Sequence, residues 1–141
     1  MGGNVLPAAD RVVLDASAVV RALADREPHA LAWLGRVGSD VEAAWPTLLY
    51  PEVANAVLVA DRGRLIPRGR GLAVVGAVRA LPGRAFPVER LVEPAWDVAR
   101  RRRLTIYDAC YAVLAETLDA VLVTADRRLA KATSNAILVA A

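Results

Sequence analysis

The sequence predicts an α/β fold in three layers, α/β/α, with a central parallel sheet of four to five strands. Three observations predict it. Short apolar, β-branched runs alternate with longer segments of helical periodicity, the pattern of strand–helix–strand crossovers. The runs are continuously apolar, as befits strands covered on both faces. Two of them, Val12-Val13-Leu14-Asp15 and Val121-Leu122-Val123-Thr124-Ala125-Asp126, end on an acid, and ligands in such folds gather at strand carboxyl ends.

Each element follows from local signals. Residues 1–10 read as a flexible lead-in and 11–141 as one domain. Residues 11–15 form a buried strand. Asp15-Ala16-Ser17 then opens a helix to about Arg26, and Pro28 suits the first turn of a second helix ending near Gly38. Residues 41–45 make a short strand that Pro46 ends. Residues 47–62 read as a helix with Leu49, Val53, Ala56, Val57 and Ala60 as one buried stripe and Gly63 as the stop. Residues 67–81 form another helix, weakened by Gly71 and Gly76, and 84–88 a short strand. Residues 89–103 are helical, with Leu91, Val92, Ala95, Val98 and Ala99 along one side. Residues 106–118 are a further helix, 120–124 a strand, 127–132 a short helix and 136–139 the last strand.

Composition narrows the function classes. The 141 residues are 56% hydrophobic and 23% charged, enough for a substantial core and too apolar for disorder. Lys131 is the only lysine among the 18 basic residues, and the net charge is +3. Guanidinium forks suit phosphate, so the arginine bias fits a nucleic-acid partner. High-GC codon usage produces the same bias. One cysteine, Cys110, excludes an intrachain disulfide or a cysteine-built zinc site. No signal peptide is evident, and no apolar stretch approaches the ~20 residues of a membrane span. A cytoplasmic location is expected.

Four acids carry the chemistry: Asp15 and Asp126 after strands, Glu52 and Asp108 near the starts of helices. An acid in an apolar run costs solvation free energy unless something compensates it. Four at matching element ends point to one shared pocket. Such carboxylates repel one another and take up protons unless a cation is present. Hard divalent ions such as Mg²⁺ or Mn²⁺ prefer this oxygen set and keep open positions for phosphate and water. Each acid also has a plainer reading. Asp15 and Asp126 are favoured helix caps, and Glu52 and Asp108 are favourable in a first helical turn.

The segments Val13-Leu14-Asp15-Ala16-Ser17-Ala18, Pro51-Glu52-Val53-Ala54-Asn55-Ala56, Tyr107-Asp108-Ala109-Cys110-Tyr111-Ala112 and Leu122-Val123-Thr124-Ala125-Asp126 stand in order across the chain. In this order they resemble the PIN-domain ribonucleases, most closely the VapC toxins of bacterial type II toxin–antitoxin pairs. The resemblance runs from about residue 11 to 139. It implies a metal-dependent endoribonuclease with Asp15, Glu52, Asp108 and Asp126 as the catalytic and metal-holding acids, and a 5′-phosphate product. It further implies that Ser17 and Thr124 orient the acids, and that Asn55 supports an acid or the substrate. A small VapB-like antitoxin would block the site, often with a basic side chain, and homodimers are expected. Many relatives carry an acid two residues beyond the last matched Asp, where this chain has Arg128. That departure sets a second metal site in question.

Other readings stay open. A catalytically silent PIN-like domain that binds only RNA or a protein would keep this fold. A phosphoacceptor module would want a lysine near the last strand, and a haloacid-dehalogenase-like enzyme an Asp where Ser17 stands. Ser17 and Thr124 are also ordinary backbone-satisfying hydroxyls. Arg100–Arg103 read as a solvated helix end, because consecutive helical residues spread around the axis. Arg127 and Arg128, beside Asp126, are better placed as RNA phosphate contacts. Trp33, Trp45 and Trp96 are expected in the core or an interface, Tyr107 and Tyr111 as packing residues, His29 as an exposed residue at a helix start and Cys110 as a small apolar filler. Sequence leaves the choice of RNA undetermined.

Overall fold

The computed structural model describes residues 10–139. The expected lead-in therefore lies, but for Asp10, outside the described residues, as do the last two positions of the proposed domain. Strands β1 (Arg11–Leu14), β2 (Glu42–Pro46), β3 (Arg84–Phe86), β4 (Val121–Thr124) and β5 (Ala136–Leu138) form one parallel sheet in the order β3-β2-β1-β4-β5. All five expected strands are present. The helices are α1 (Ala16–Leu23), α2 (Pro28–Arg36), α3 (Leu49–Arg62), α4 (Arg70–Arg79), α5 (Val92–Arg102), α6 (Ile106–Thr117) and α7 (Arg127–Ala132).

Topology places the layers. The chain moves outward from β1 through β2 to β3, then returns to the other side of β1 for β4 and β5. Right-handed crossovers put α1–α4 on one face and α5–α7 on the other. The contacts agree: α1 packs on α2, α3 and α4, while α6 packs on α5 and across β1, β2 and β4. The reversal between β1 and β4 is a topological switch point, where the carboxyl ends of adjacent strands leave a crevice. Register matches Leu14 with Val123, and the Asp15 amide donates to the Val123 carbonyl at 3.0 Å. The next residues along, Asp15 and Thr124, are thereby neighbours at the crevice.

The core fills both sides of this sheet. Val12, Val13, Leu14, Leu122 and Val123 are buried, with Trp33 and Trp45 against the α1–α4 layer's side of the core cluster and Tyr111 and Leu114 supplied by α6. The Trp45 indole N–H donates to the Tyr50 hydroxyl at 2.9 Å. Gly83 lies so close to the Trp45 ring that a Cβ there would stand 2.4 Å from it, so only glycine fits.

Several boundaries differ from expectation, each for a physical reason. The first helix stops at Leu23 rather than Arg26, because Arg26 turns to φ 56° and Glu27 caps α2 through the amides of His29 and Ala30. The α2 helix ends at Arg36, just before the tight approach of Gly38, φ 82°, to Pro82. Helix α4 starts at Arg70, after a left-handed Gly69, rather than at Pro67, and ends at Arg79. Residues 88–90 are a 3₁₀ turn that breaks the expected 89–103 helix, which begins only at Val92. Gly63 does close α3, but with φ −81°; the left-handed residue is Arg64, at φ 58°. The expected α3 stripe is also narrower. Leu49, Val53 and Val57 are buried, whereas Ala56 is exposed and Ala60 half-buried, for they face a cleft.

Candidate active site

The four acids reach the carboxyl edge of the sheet from four elements. Asp15 follows β1 at the head of α1, Glu52 lies in the first turn of α3, Asp108 in the first turn of α6, and Asp126 heads α7 after β4. All four line one open cleft of about 550 Å³, together with Ser17, Arg21, Asp25, Ala56, Ala60, Leu65 and Ile66. Each acid thus meets the amino end of a helix, whose exposed N–H groups soften the repulsion among them.

Hydroxyls fix the innermost carboxylate. Asp15 is buried, and its Oδ2 accepts from Ser17 Oγ at 2.5 Å and from Thr124 Oγ1 at 2.7 Å. Ser17 Oγ in turn accepts from the Ala125 amide at 2.9 Å, and Thr124 Oγ1 from the Asp126 amide at 3.0 Å. The two expected supporting hydroxyls therefore join β4 to the head of α1 through Asp15. Asp15 occupies the cap position of α1 without bonding the amides of the helix's second or third residue, so capping does not explain its carboxylate. Asp126 does cap: its Oδ1 accepts from the Arg128 and Leu129 amides at 2.8 and 3.3 Å. Thr105 performs the equivalent task for α6, accepting from the Asp108 amide at 3.0 Å, which leaves the Asp108 carboxylate to the cleft.

Tyr111 was expected to be a packing residue and does more. It is fully buried on α6, and its hydroxyl donates to Glu52 Oε1 at 2.6 Å across the interior. The partners are 59 residues apart, so no local pattern announces them. Burial, then the neighbouring Glu52 charge, pushes the Tyr111 pKa far up, and the phenol stays a donor at any ordinary pH. Arg21 and Asp25, paired at 3.6 Å on the cleft wall, are likewise site residues that sequence reasoning did not single out.

Asn55 is set apart from the four acids. It is exposed and does not line the cleft. A helix advances about 100° per residue, so Asn55, three on from Glu52, points some 60° to one side, while Ala56 and Ala60 continue the cleft face. Arg127 and Arg128 are exposed beside the site; Arg128 Nη2 donates to the Arg103 carbonyl at 3.1 Å. Cys110 is buried as expected, and His29 is exposed at the start of α2 with Nδ1 2.9 Å from Glu27.

Electrostatics mark the cluster. Burial raises the Asp15 pKa against the pull of its two hydroxyls, and Asp126 adds to the rise. Burial likewise raises Glu52, with Asp15 and Asp108 adding to it and the Tyr111 bond opposing. For Asp108 burial leads again, Asp15 and Asp126 add, and Arg128 opposes. Among the described residues none of the four acids has an ion-pair partner. Also among these, no three or more His, Cys, Asp or Glu side chains stand close enough together to hold a metal ion as they are placed. An all-oxygen, open, mutually repelling set suits a hard divalent cation that retains waters, and does not suit zinc-type nitrogen and sulfur ligation. A second cleft, about 750 Å³, opens at the amino edge of the sheet beside Arg11, Asp40, Glu42 and Arg84. Its acids are already matched, Glu42 by Arg11 and Asp40 by Arg36, and it lies at the wrong end of the strands.

Against known proteins, the PIN domain family model matches residues 12–135. The chain belongs to the PIN domain family. Within it, this PIN domain is 37% identical to Ribonuclease VapC1 of Mycobacterium tuberculosis over 87% of its own length and 91% of that protein's. It is 34% identical to Ribonuclease VapC12 of the same organism over 85% and 90%. Among solved structures it matches PAE2754 from Pyrobaculum aerophilum with a TM-score of 0.66 at 29% identity, over 90% of this chain and 87% of that one. The fold also matches VapBC2 from Rickettsia felis, solved bound to a promoter DNA fragment, with a TM-score of 0.63 at 16% identity, over 91% and 96%. Among the described residues no helix is long and apolar enough to cross a membrane.

Proposed function

We propose that this PIN domain, residues 11–141 acting as one unit, is a Mg²⁺- or Mn²⁺-dependent endoribonuclease and the toxin of a toxin–antitoxin pair. The observation that carries the reading is the convergence of Asp15, Glu52, Asp108 and Asp126, from four separate elements and without cationic partners, on one cleft at the switch point. The ribonuclease names of its relatives at 34–37% identity support the activity. The VapBC structures that share its fold suggest a VapB-like antitoxin as partner. Homodimerisation and a cytoplasmic location complete the proposal.

In this reading the four acids hold the cation, which when bound stabilises charge on the phosphate and lowers the pKa of the attacking water. The protein supplies position. Ser17 and Thr124 hold one oxygen of Asp15, and Tyr111 holds one oxygen of Glu52, so both carboxylates meet the substrate in fixed orientations. Asp108 and Asp126 close the far wall. Arg127 and Arg128, at the rim, offer contacts to phosphate oxygens.

The test uses purified, antitoxin-free protein with total cellular RNA and Mg²⁺ or Mn²⁺, with chelator and Asp108→Asn as parallel samples. Discrete cuts that vanish in both controls are expected, and mapping their ends identifies the RNA. A folded protein that leaves RNA intact in the presence of metal would turn the assignment toward a binding-only domain. Cutting that persists in Asp108→Asn would place the active site elsewhere.

A further inference from the structure

The four arginines at the end of α5, Arg100–Arg102 within the helix and Arg103 capping it, divide into two pairs with different tasks. Arg101 Nε donates to Asp97 Oδ2 at 2.8 Å, and Arg102 grips both oxygens of Glu116 at 2.7 and 3.0 Å. Arg100 and Arg103 are exposed, and among the described residues neither side chain has an ion-pair partner. Arg100 lies in the last turn of α5, and Arg103, left-handed at φ 56°, is the residue that caps the helix and turns the chain toward α6. Four residues before Arg100, on the same side, Trp96 is 63% exposed.

Beyond Arg103 the chain turns into α6, where Tyr107 is 60% exposed and immediately precedes Asp108 of the acid cleft. Arg128 reaches across from α7 to the Arg103 carbonyl, and its charge acts on Asp108. Trp96, Arg100, Arg103, Tyr107 and Arg128 are thus exposed rings and cations strung from α5 through its capping turn to the head of α6, a strip whose last cation, Arg128, acts on Asp108. From Trp96 to Arg102 the helix advances about 9 Å at 1.5 Å per residue, and the turn beyond leads to the cleft.

Clustered guanidinium groups repel one another and call for an anion. Large exposed rings carry a desolvation gain that only a flat apolar surface collects. A single-stranded nucleic acid supplies both in alternation, phosphates for the arginines and unpaired bases for the rings. A duplex keeps its bases stacked inside, out of reach of Trp96 and Tyr107. We infer that single-stranded RNA entering or leaving the acid cleft runs over the α5–α6 corner. Its phosphates sit on Arg103, Arg128 and Arg100, and its bases stack on Tyr107 and Trp96. The inference rests on the ribonuclease reading for the identity of the strand.

Fluorescence anisotropy tests it with a labelled single-stranded RNA of mixed sequence and with its duplex, in chelator so that nothing is cut. Preference for the single strand is expected. Trp96→Ala and Tyr107→Ala should each weaken it about tenfold. Arg100→Gln and Arg103→Gln should each lower the slope of log affinity against log salt by about 0.7. Arg101→Gln, which loses only the Asp97 contact, should alter neither. Equal binding by all variants, or duplex preference untouched by the ring substitutions, overturns the strip. So does a dimer that dissociates on Trp96→Ala in sedimentation velocity while RNA affinity holds, for the face then belongs to a protein interface. Cleavage after adding Mn²⁺ is scored separately. The expected binding pattern without cleavage sustains the strip and sinks the ribonuclease reading. Cleavage with an unchanged KM in every variant does the reverse.

Discussion

At the amino edge of the sheet Glu42 meets Arg11 and Asp40 meets Arg36, whereas at the carboxyl edge Asp15, Glu52, Asp108 and Asp126 meet one another. The pKa directions follow. The Arg36 hydrogen bond holds Asp40 below the usual carboxylate range, and Arg102 does the same for Glu116, while Asp15, Glu52 and Asp108 are pushed above it, chiefly by burial. One fold therefore pairs its outlying acids with arginines and leaves the four at the cleft with hydrogen-bond donors but, among the described residues, no ion-pair partner. Uncompensated charge of this kind is stored at functional sites and tolerated because the rest of the fold supports it.

The comparison breaks most visibly in Asp108→Asn. RNA cleavage should fall by about three orders of magnitude, several kcal/mol of lost charge stabilisation, while the melting temperature holds or rises. A parallel loss of stability, seen by calorimetry, would show that Asp108 is structural. Next in size, Mn²⁺ at a hundredfold excess over its Kd should stabilise the protein by about 2.7 kcal/mol in urea unfolding, and Asp15→Asn should abolish that gain. Tyr111→Phe should then lower Mn²⁺ affinity about 10- to 100-fold by titration calorimetry, with little change in the far-ultraviolet circular dichroism. An unaltered affinity would reduce Tyr111 to packing.

Smaller effects sharpen the contrast from the structural side. Glu116→Ala strips Arg102 of its two-pronged partner and should cost about 1–2 kcal/mol of unfolding free energy in urea, modest because the pair is a quarter exposed, without changing Mn²⁺ affinity. The smallest effect is in pH. Asp15, Glu52 and Asp108 have raised pKa values, so the folded state holds their protons more tightly than the unfolded chain does. Their cost is absent below the ordinary carboxylate range and complete above their folded values. Metal-free protein should therefore gain stability as pH falls from neutral toward that range. Asp40 and Glu116, with lowered values, contribute stability that fades only as pH falls below it. A urea midpoint that falls steadily from neutral pH downward, in chelator, would contradict this balance.

The sheet and the acids were legible because their signals are local. Apolar runs with β-branched residues define β1 and β4, and the acids that end them cannot sit in the sheet itself. Glu52 and Asp108, in first helical turns, have an ordinary electrostatic reading as well, and it is the resemblance of the four ordered segments that implies they belong with the other two. What stayed hidden depends on the third dimension. Tyr111 looks like any buried aromatic until Glu52, far away in sequence, is folded onto it. Asn55 looked aligned with Glu52 because three residues is nearly a turn, yet the shortfall swings it off the cleft. Ala56 and Ala60 counted as core because alanine carries no sign of which side of a helix is wet. Arg26, Arg64, Arg103 and Asp119 adopt left-handed backbone where glycine would be the default expectation, yet only at Arg26 does the helix end sit well short of the expected place; α3, α5 and α6 end within one residue of theirs.

Asp15 and the hydroxyl that steadies it are 109 residues apart in the chain. At ordinary translation speeds of 5–20 residues per second, roughly 5 to 20 s pass between the synthesis of one and the other. Strand β1 has no β4 beside it during that interval, and Asp126 does not yet exist. Over that interval a nascent chain carries at most three of the four acids, and the third only after residue 108. The acid cleft is complete only once β4 has paired with β1 and Asp126 has followed it.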